Sequence, residues 1–567
     1  MGVSVCIHSC DSRRVAAEPS YGRSLASAMA TGFKTAASPR ASMYGSMDAL
    51  VRPGGLKLSR SCRRASALAT ALCALGGVLG QAAQAQDTPG CTDVNAGQCI
   101  ARALDAMGGR RRLAEVKGVA LDVTGHTELM EQSYRQAPFI TAYHRSKIML
   151  DLSDGRLRED GHDVWPESDP GQAESDHSLI VTADGCGYPG PQGDSPCGLA
   201  TLTDARQALA LGPLRLLMSA ADAKDLHYEA AQTLRSTQHT VVAFTWNAVP
   251  VRVLLNAYNH LPDAVETIQQ FWDFWYFWGD TKQRVYWDNW KVASGIVYPT
   301  NEIVERNGAI WRSNQTLDLV LNPPIDEKRF ALDPKVAQQS TQGKGWELPF
   351  KAGTPVKLAE ALWLYSGPWN TTIVKQDDGV VILDAPISGV YTQGIIAEAN
   401  KQYPGVPIKA VVSSSDSWPH VGGIRYAVAQ SLPIYILDLN QPLLDRIIAA
   451  EHTIKPDPLQ GSKKAPDWRI VAGKVEIGNG TNRMQLFPLR GAATERQYMV
   501  YFPAHRLLYA SDTLVIDPEK HSLYGPELLR EVRQAVEREH LRVDTVFAMH
   551  QAPTPWKDAV ALLQKAG

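Results

Sequence analysis

Between residues 369 and 449 the chain alternates short apolar runs with longer amphipathic ones, and this order limits the fold more than any other feature. WNTTIVKQDDGVVILDAP reads as a hairpin turning at Asp377-Asp378-Gly379. YTQGIIAEANKQY is helical, IKAVVS a strand, GIRYAVAQS a helix, PIYILDL a strand and QPLLDRIIAA a helix. Further on, QYMVYFPAHRLLYASD gives two strands and a turn. PELLREVRQAVEREH carries Leu528, Leu529, Val532, Ala535 and Val536 on one stripe, as an amphipathic helix does. Buried strands meeting helices throughout predict an α/β domain with both sheet faces covered.

Upstream the pattern changes. Residues 87 to about 340 are mostly β, with stretches such as VKGVALDVTG, FITAYHRSKIMLDL and HTVVAFTWNA, one short helix at QCIARALDAMGG, and a helical insert at TDARQALALGPLRLLMSAADAKDL. Within this β-rich (α+β) domain FWDFWYFWGD holds seven aromatics in ten residues, Phe271 to Trp278 among them. Such a run can line a groove for lipids or flat ligands. The reading favoured here is a strand or turn buried against its own domain, because a turn-like GDTK follows. At 567 residues the chain is too long for one core. The polar, Gly/Pro-containing QQSTQGKGWELPFKAGTP puts a boundary near 340–357, giving domains 87–345 and 346–567.

The first 86 residues stand apart. Arg60, Arg63 and Arg64 precede an apolar stretch from Ala65 to Gly80, and Ala83-Gln84-Ala85 follows as a small-x-small cleavage site. These are the three parts of a secretory signal peptide, and the apolar run is too short for a comfortable membrane span. Two close cysteine pairs in loop-like sequence, Cys91 with Cys99 and Cys186 with Cys197, read as local disulfides of an oxidising compartment. A periplasmic or secreted protein is expected, with no transmembrane span in the mature chain. Net charge is −2, which offers no electrostatic footprint for nucleic acid.

SSSDSWPHVGG, Ser413 to Gly423, holds the chemistry. With the strand ending in Asp384, the turn YFP, the ASD at Asp512 and the AMH at His550, it makes residues 358–563 resemble the metallo-β-lactamase-fold superfamily. That resemblance implies an αββα sandwich carrying a zinc site. It places the three nitrogen ligands of a first metal position at Ser415, Ser417 and Ala493, none of which can serve. The aspartate position of the second falls on Pro419, while His420, Asp512 and His550 remain. Two imidazoles and a carboxylate suffice for one catalytic zinc with an open position, and Asp416 is a candidate base beside them. A two-metal centre is not expected. A serine hydrolase using Ser413 to Ser417 lacks a G-x-S-x-G elbow, and His452, His505, His521 and His540 read as solvent-exposed.

The N-terminal domain is weakly similar to the half-barrels of periplasmic lipoprotein carriers. Two functions stay open. One is an exported hydrolase of an ester, lactone or amide bond in a small-molecule substrate, using one zinc. The other is an inactive domain of the same fold that binds a small molecule or lipid.

Overall fold

The computed structural model describes residues 95–130, 139–165, 173–273, 275–343, 345–417, 419–517 and 521–566, all within one compact unit. The signal-like segment and Cys91 lie outside these residues. Cys99 is disulfide-bonded, and Cys186 is bonded to Cys197 across 5.4 Å between α-carbons. No described helix is long and apolar enough to cross a membrane.

Residues 118–321 form one antiparallel sheet of thirteen strands. Neighbours in sequence pair with a single break, between the sixth and seventh strands, and the first strand, Gly118–Glu128, lies beside the last, Ala309–Leu321. The sixth and seventh strands, Ser195–Pro196 and His227–Leu234, are therefore opposite edges of the sheet. The chain between them must cross the whole sheet, and it does so as the helices Leu199–Leu211 and Leu216–Asp222. Their apolar residues join those of the helix Ala96–Ala106 and of the strands in one core, which includes Leu104, Leu121, Leu202 and Leu217.

The C-terminal half is built from two facing sheets. Seven strands between Val356 and Val471 form the first, its leading four antiparallel and the rest parallel, as helical crossovers require. Six strands between Val475 and Pro555 form the second. Period two sorts their side chains between layers. Val381, Leu383, Ala410 and Val412 meet Val500, Phe502, Tyr509 and Phe547 between the sheets. Ile382 and Val411 face outward under the helices Gly389–Gln402, Ile424–Ala429 and Gln441–Ala449. Met499, Leu508 and Val546 face the opposite side, under the helices Pro526–Arg538 and Trp556–Ala566. A strand buried on both faces has no polar side to alternate, which is why these stretches read as continuous apolar runs. The layers are helix, sheet, sheet, helix.

The aromatic run is buried, and its surroundings extend beyond its own sheet. It is the hairpin connection between strands Pro262–Gln269 and Thr281–Ala293, but Phe271, Trp275 and Phe277 share a core with Ile387, Tyr391 and Val421 of the C-terminal half. A polar centre lies beneath it. Arg306, 1% exposed, lies 3.9 Å from the Phe271 ring centroid and 3.6 Å from that of Trp311, and gives Nη1 to Asp273 at 2.7 Å. Val304 and Trp311 of its own sheet belong to the same core, so the run packs against both halves.

Candidate active site

The strand Ile408–Ser413 ends one crossover early enough to leave a loop, 414–423, before the next helix. That loop is locked to two others at the same edge. Tyr498 N–H donates to the Ser414 carbonyl, Ser511 Oγ to the same carbonyl at 3.2 Å, and Met549 N–H to Ser511 O. Gln497 Oε1 accepts from Asp512 N–H at 3.0 Å. Residues more than a hundred positions apart are thereby fixed as neighbours.

Their side chains converge. His420 Nε2 lies 3.4 Å from Asp512 Oδ2, and His550 Nε2 lies 3.3 Å from Asp512 Oδ1. The ligand-capable atoms of the three residues fall within 4.8 Å of one another. Tetrahedral bonds of about 2.0–2.1 Å put neighbouring donors about 3.3 Å apart, so this set suits one zinc-sized ion. His420 is 3% exposed and His550 9%. Burial holds the His420 imidazole well below its ordinary pKa and lowers His550 to about 4, so both rings are neutral and present lone pairs at neutral pH. Asp512 is raised to about 8 by burial first and by the charge of Asp384 second. Its carboxyl keeps a proton until a cation takes that place. His420 Nδ1 is buried without a hydrogen-bond partner among the described residues, and the ring meets Asp512 by charge and His550 edge-on. These donors fit a metal.

The other end of this loop cluster differs. Ser415 is 1% exposed and its Oγ accepts from Ser417 N–H at 3.0 Å; Ala493 is buried, its N–H donating to Glu531. Asp416 takes no part in the His420 group. It is buried in an ion pair with Arg496, whose Nε and Nη2 both lie 2.9 Å from Asp416 Oδ2. Arg496, 7% exposed, brings a permanent positive charge into this end. The sequence reading missed it, because one arginine in GAATERQY carries no spacing signal. Behind both ends Asp384, fully buried, accepts from Ser414 N–H, Ser414 Oγ and Tyr509 Oη, and burial still raises it to about 6.

The two glycines after His420 have separate reasons. A Cβ on Gly422 would lie 1.9 Å from Tyr276 Oη and 2.2 Å from the Ile387 carbonyl; one on Gly423 would lie 1.8 Å from Thr392 Oγ1. Gly423 lets the start of the helix Ile424–Ala429 lie against Thr392 of the helix Gly389–Gln402. Of the four histidines expected at the surface, His521 and His540 are exposed and His505 is half-buried against Asn482. His452 corrects that expectation. It is 4% exposed, with Nε2 3.2 Å from the Phe277 carbonyl, because the aromatic hairpin covers it.

Three aromatic residues also escaped the sequence reading of this site. Trp369 meets the His550 ring edge-on, with centroids 5.7 Å apart. Trp346 meets Trp369 at 5.7 Å and stacks on Tyr276 at 6.1 Å. Trp346 sits in sequence that reads as linker, and the only available signal was an indole among glycines.

No family model matches this chain, and no curated protein does. Solved structures similar to it include the DIM-1 metallo-β-lactamase, at 18% identity over 38% of this chain and 94% of that one, with a TM-score of 0.28. A metallo-β-lactamase from Pontibacter korlensis is 16% identical over 37% of this chain and 98% of its own, TM-score 0.29. The stereoselective inverting sec-alkylsulfatase from a Pseudomonas species is 16% identical over 37% of this chain and 40% of its own, TM-score 0.28. By its own layers and strand order, with the His420 group at one edge of two facing sheets, the C-terminal half has a fold of metallo-β-lactamase type.

Proposed function

We propose that this protein is an exported hydrolase that uses one divalent metal ion, zinc by its donor set, to cleave an ester, lactone or amide bond in a small molecule. The observation that carries the reading is the approach of His420 Nε2 and His550 Nε2 to the two oxygens of Asp512, 3.4 and 3.3 Å away. His420, Asp512 and His550 would hold the ion. When bound, it supplies Lewis acidity for a carbonyl oxygen and lowers the pKa of a water at its open position. The chain's own residues do the rest. The neutral imidazoles keep their lone pairs in a site from which bulk water is largely excluded, and Asp512 gives up its proton on loading. Asp416 is unsuited to act as the base while Arg496 holds it. The Cys186–Cys197 disulfide and the signal-like segment support export. The division into domains near 340–357 is likewise proposed, and limited proteolysis there tests it.

The buried Asp416–Arg496 pair favours a second reading, a binding module without catalysis, since it occupies the end where further ligands would stand. Elemental analysis of the purified protein after growth with added zinc separates the two. About one zinc per chain, with hydrolysis of ester or lactone substrates that chelation abolishes, supports the enzyme. A chain that takes up no metal leaves the binding module.

A further inference from the structure

The hairpin connection of residues 270–280 is pinned on both flanks. On its own sheet the anchor is the Arg306–Asp273 pair. On the C-terminal half, Asp280 N–H donates to Glu451 O at 2.8 Å, and the Asp280 carboxylate accepts from Thr453 N–H at 2.8 Å and Ile454 N–H at 3.1 Å. Arg446 lies over the Trp278 ring at 5.7 Å. Held from both sides, the loop presses the Tyr276 hydroxyl against Gly422, two residues from His420.

From there aromatic rings continue without a gap. Tyr276 and Trp346 are stacked within 18° of parallel, Trp346 meets Trp369 at 62°, and Trp369 meets His550 at 65°. All three rings outside the histidines keep partial exposure. The indole N–H of Trp369 is buried without an acceptor. Among the described residues this wall offers ring faces and edges, with the Tyr276 hydroxyl buried behind it, and it ends on a candidate metal ligand.

We infer that Tyr276, Trp346 and Trp369 determine specificity, selecting small-molecule esters that carry a planar apolar group beside the scissile bond. The N-terminal half thereby contributes a residue to the site. The inference rests on the hydrolase reading for the bond cleaved, and on the ring geometry alone for the group recognised. Offset-stacked and edge-on contacts each contribute modestly beyond buried area, so losing one ring weakens recognition about tenfold.

The test compares wild type with Trp346→Leu, whose side chain touches none of the three candidate ligands in the contacts described. Equilibrium dialysis against 2-naphthoate is run on zinc-loaded and chelator-treated protein, and hydrolysis of 2-naphthyl acetate is set against that of ethyl acetate. Expected are unchanged zinc content, about tenfold weaker 2-naphthoate binding, and about tenfold lower kcat/KM for the naphthyl ester with less than about twofold change for the ethyl ester. Equal losses on both esters, or unaltered 2-naphthoate binding, overturn the inference. Should Trp346→Leu fail to fold, Tyr276→Leu probes the same wall from its far end with the same criteria. A protein that binds 2-naphthoate but neither zinc nor any ester overturns the hydrolase reading and leaves the wall standing.

Discussion

The two ends of the loop cluster use similar residue types to opposite effect. At one end Asp512 faces two neutral imidazoles, and a buried ring nitrogen of His420 has no hydrogen-bond partner among the described residues. At the other, Asp416 faces a guanidinium, and Ser415 Oγ and the Ala493 amide are already hydrogen-bonded within the protein. The first end has donors waiting for a cation; the second has its cation built in. A carboxylate's role therefore follows from what already neutralises it. Asp512 keeps a proton that a metal can displace, whereas Asp416 would have to release Arg496 before doing anything else.

The largest effect that can break this contrast is at the open end. His550→Ala removes one of three donors, and zinc affinity should fall by about a thousandfold, roughly 4 kcal/mol, a fair share of what a structural zinc site supplies. Competition with a chromophoric chelator reads this directly. A loss under tenfold would mean that the metal, if bound, sits elsewhere.

At the closed end the same substitution logic acts on stability instead. Arg496→Met takes the guanidinium away from the buried Asp416 carboxylate, at a cost of about 3 kcal/mol in thermal or denaturant unfolding. Zinc stoichiometry should stay near one per chain. Replacing both partners, Asp416→Leu with Arg496→Met, should recover most of the loss, since neither then leaves an orphaned charge. If the double variant is as unstable as the single, the pair does more than balance charge.

How much of this was legible in sequence divides along the same line. The strands were readable because IKAVVS, PIYIL and YMVYF are apolar on both faces, whereas His420, Asp512 and His550 could be named only through the resemblance carried by the H-x-G-G loop, ASD and AMH. Covered sheet faces followed from strands alternating with helices, and the order of layers from the resemblance. What filled the closed end was not readable. Asp416 and Arg496 lie eighty residues apart and meet only because two loops interlock at Ser414 and Tyr498. The aromatic hairpin was visible as composition and was expected to be buried against its own domain, which Val304 and Trp311 supply; that Ile387, Tyr391 and Val421 complete the same core was not readable, because they lie far along the chain. His452 was misread for the same reason: burial by a distant segment leaves no local periodicity.

A smaller effect separates the ends by pH. Asp512 is raised from 3.8 to about 8, so in the metal-free protein the folded state holds a proton that the unfolded state has lost above about pH 4. That contribution to stability is present at low pH and disappears as pH rises through about 8. His420 and His550, lowered by burial, work the other way, adding stability as pH rises to their unfolded value of 6.5. Above 6.5 only the Asp512 slope remains among the three. Chelator-treated protein should then lose about 1.5 kcal/mol between pH 6.5 and 8, and Asp512→Asn should not. Zinc-loaded protein should also keep its stability over that range, because the ion stands in for the proton. A metal-free protein with a flat profile would mean that Asp512 is already ionised.

The smallest effect is the sharpest probe of the closed end. Ser415→Ala deletes the hydroxyl that accepts from Ser417 N–H and nothing else that the structure gives that oxygen. Ser417 is only half-buried, so its amide can turn to water, and the loss should be about 1 kcal/mol in unfolding free energy. Zinc content, zinc affinity and KM should not move, because Asp416 remains on Arg496 and the loop remains tied through Ser414. The comparison with His550→Ala is then between two residues of one loop cluster, one changing metal affinity and the other only stability. If Ser415→Ala instead lowers zinc affinity by tenfold or more, this hydroxyl contributes to the metal's surroundings, and the closed end is open after all.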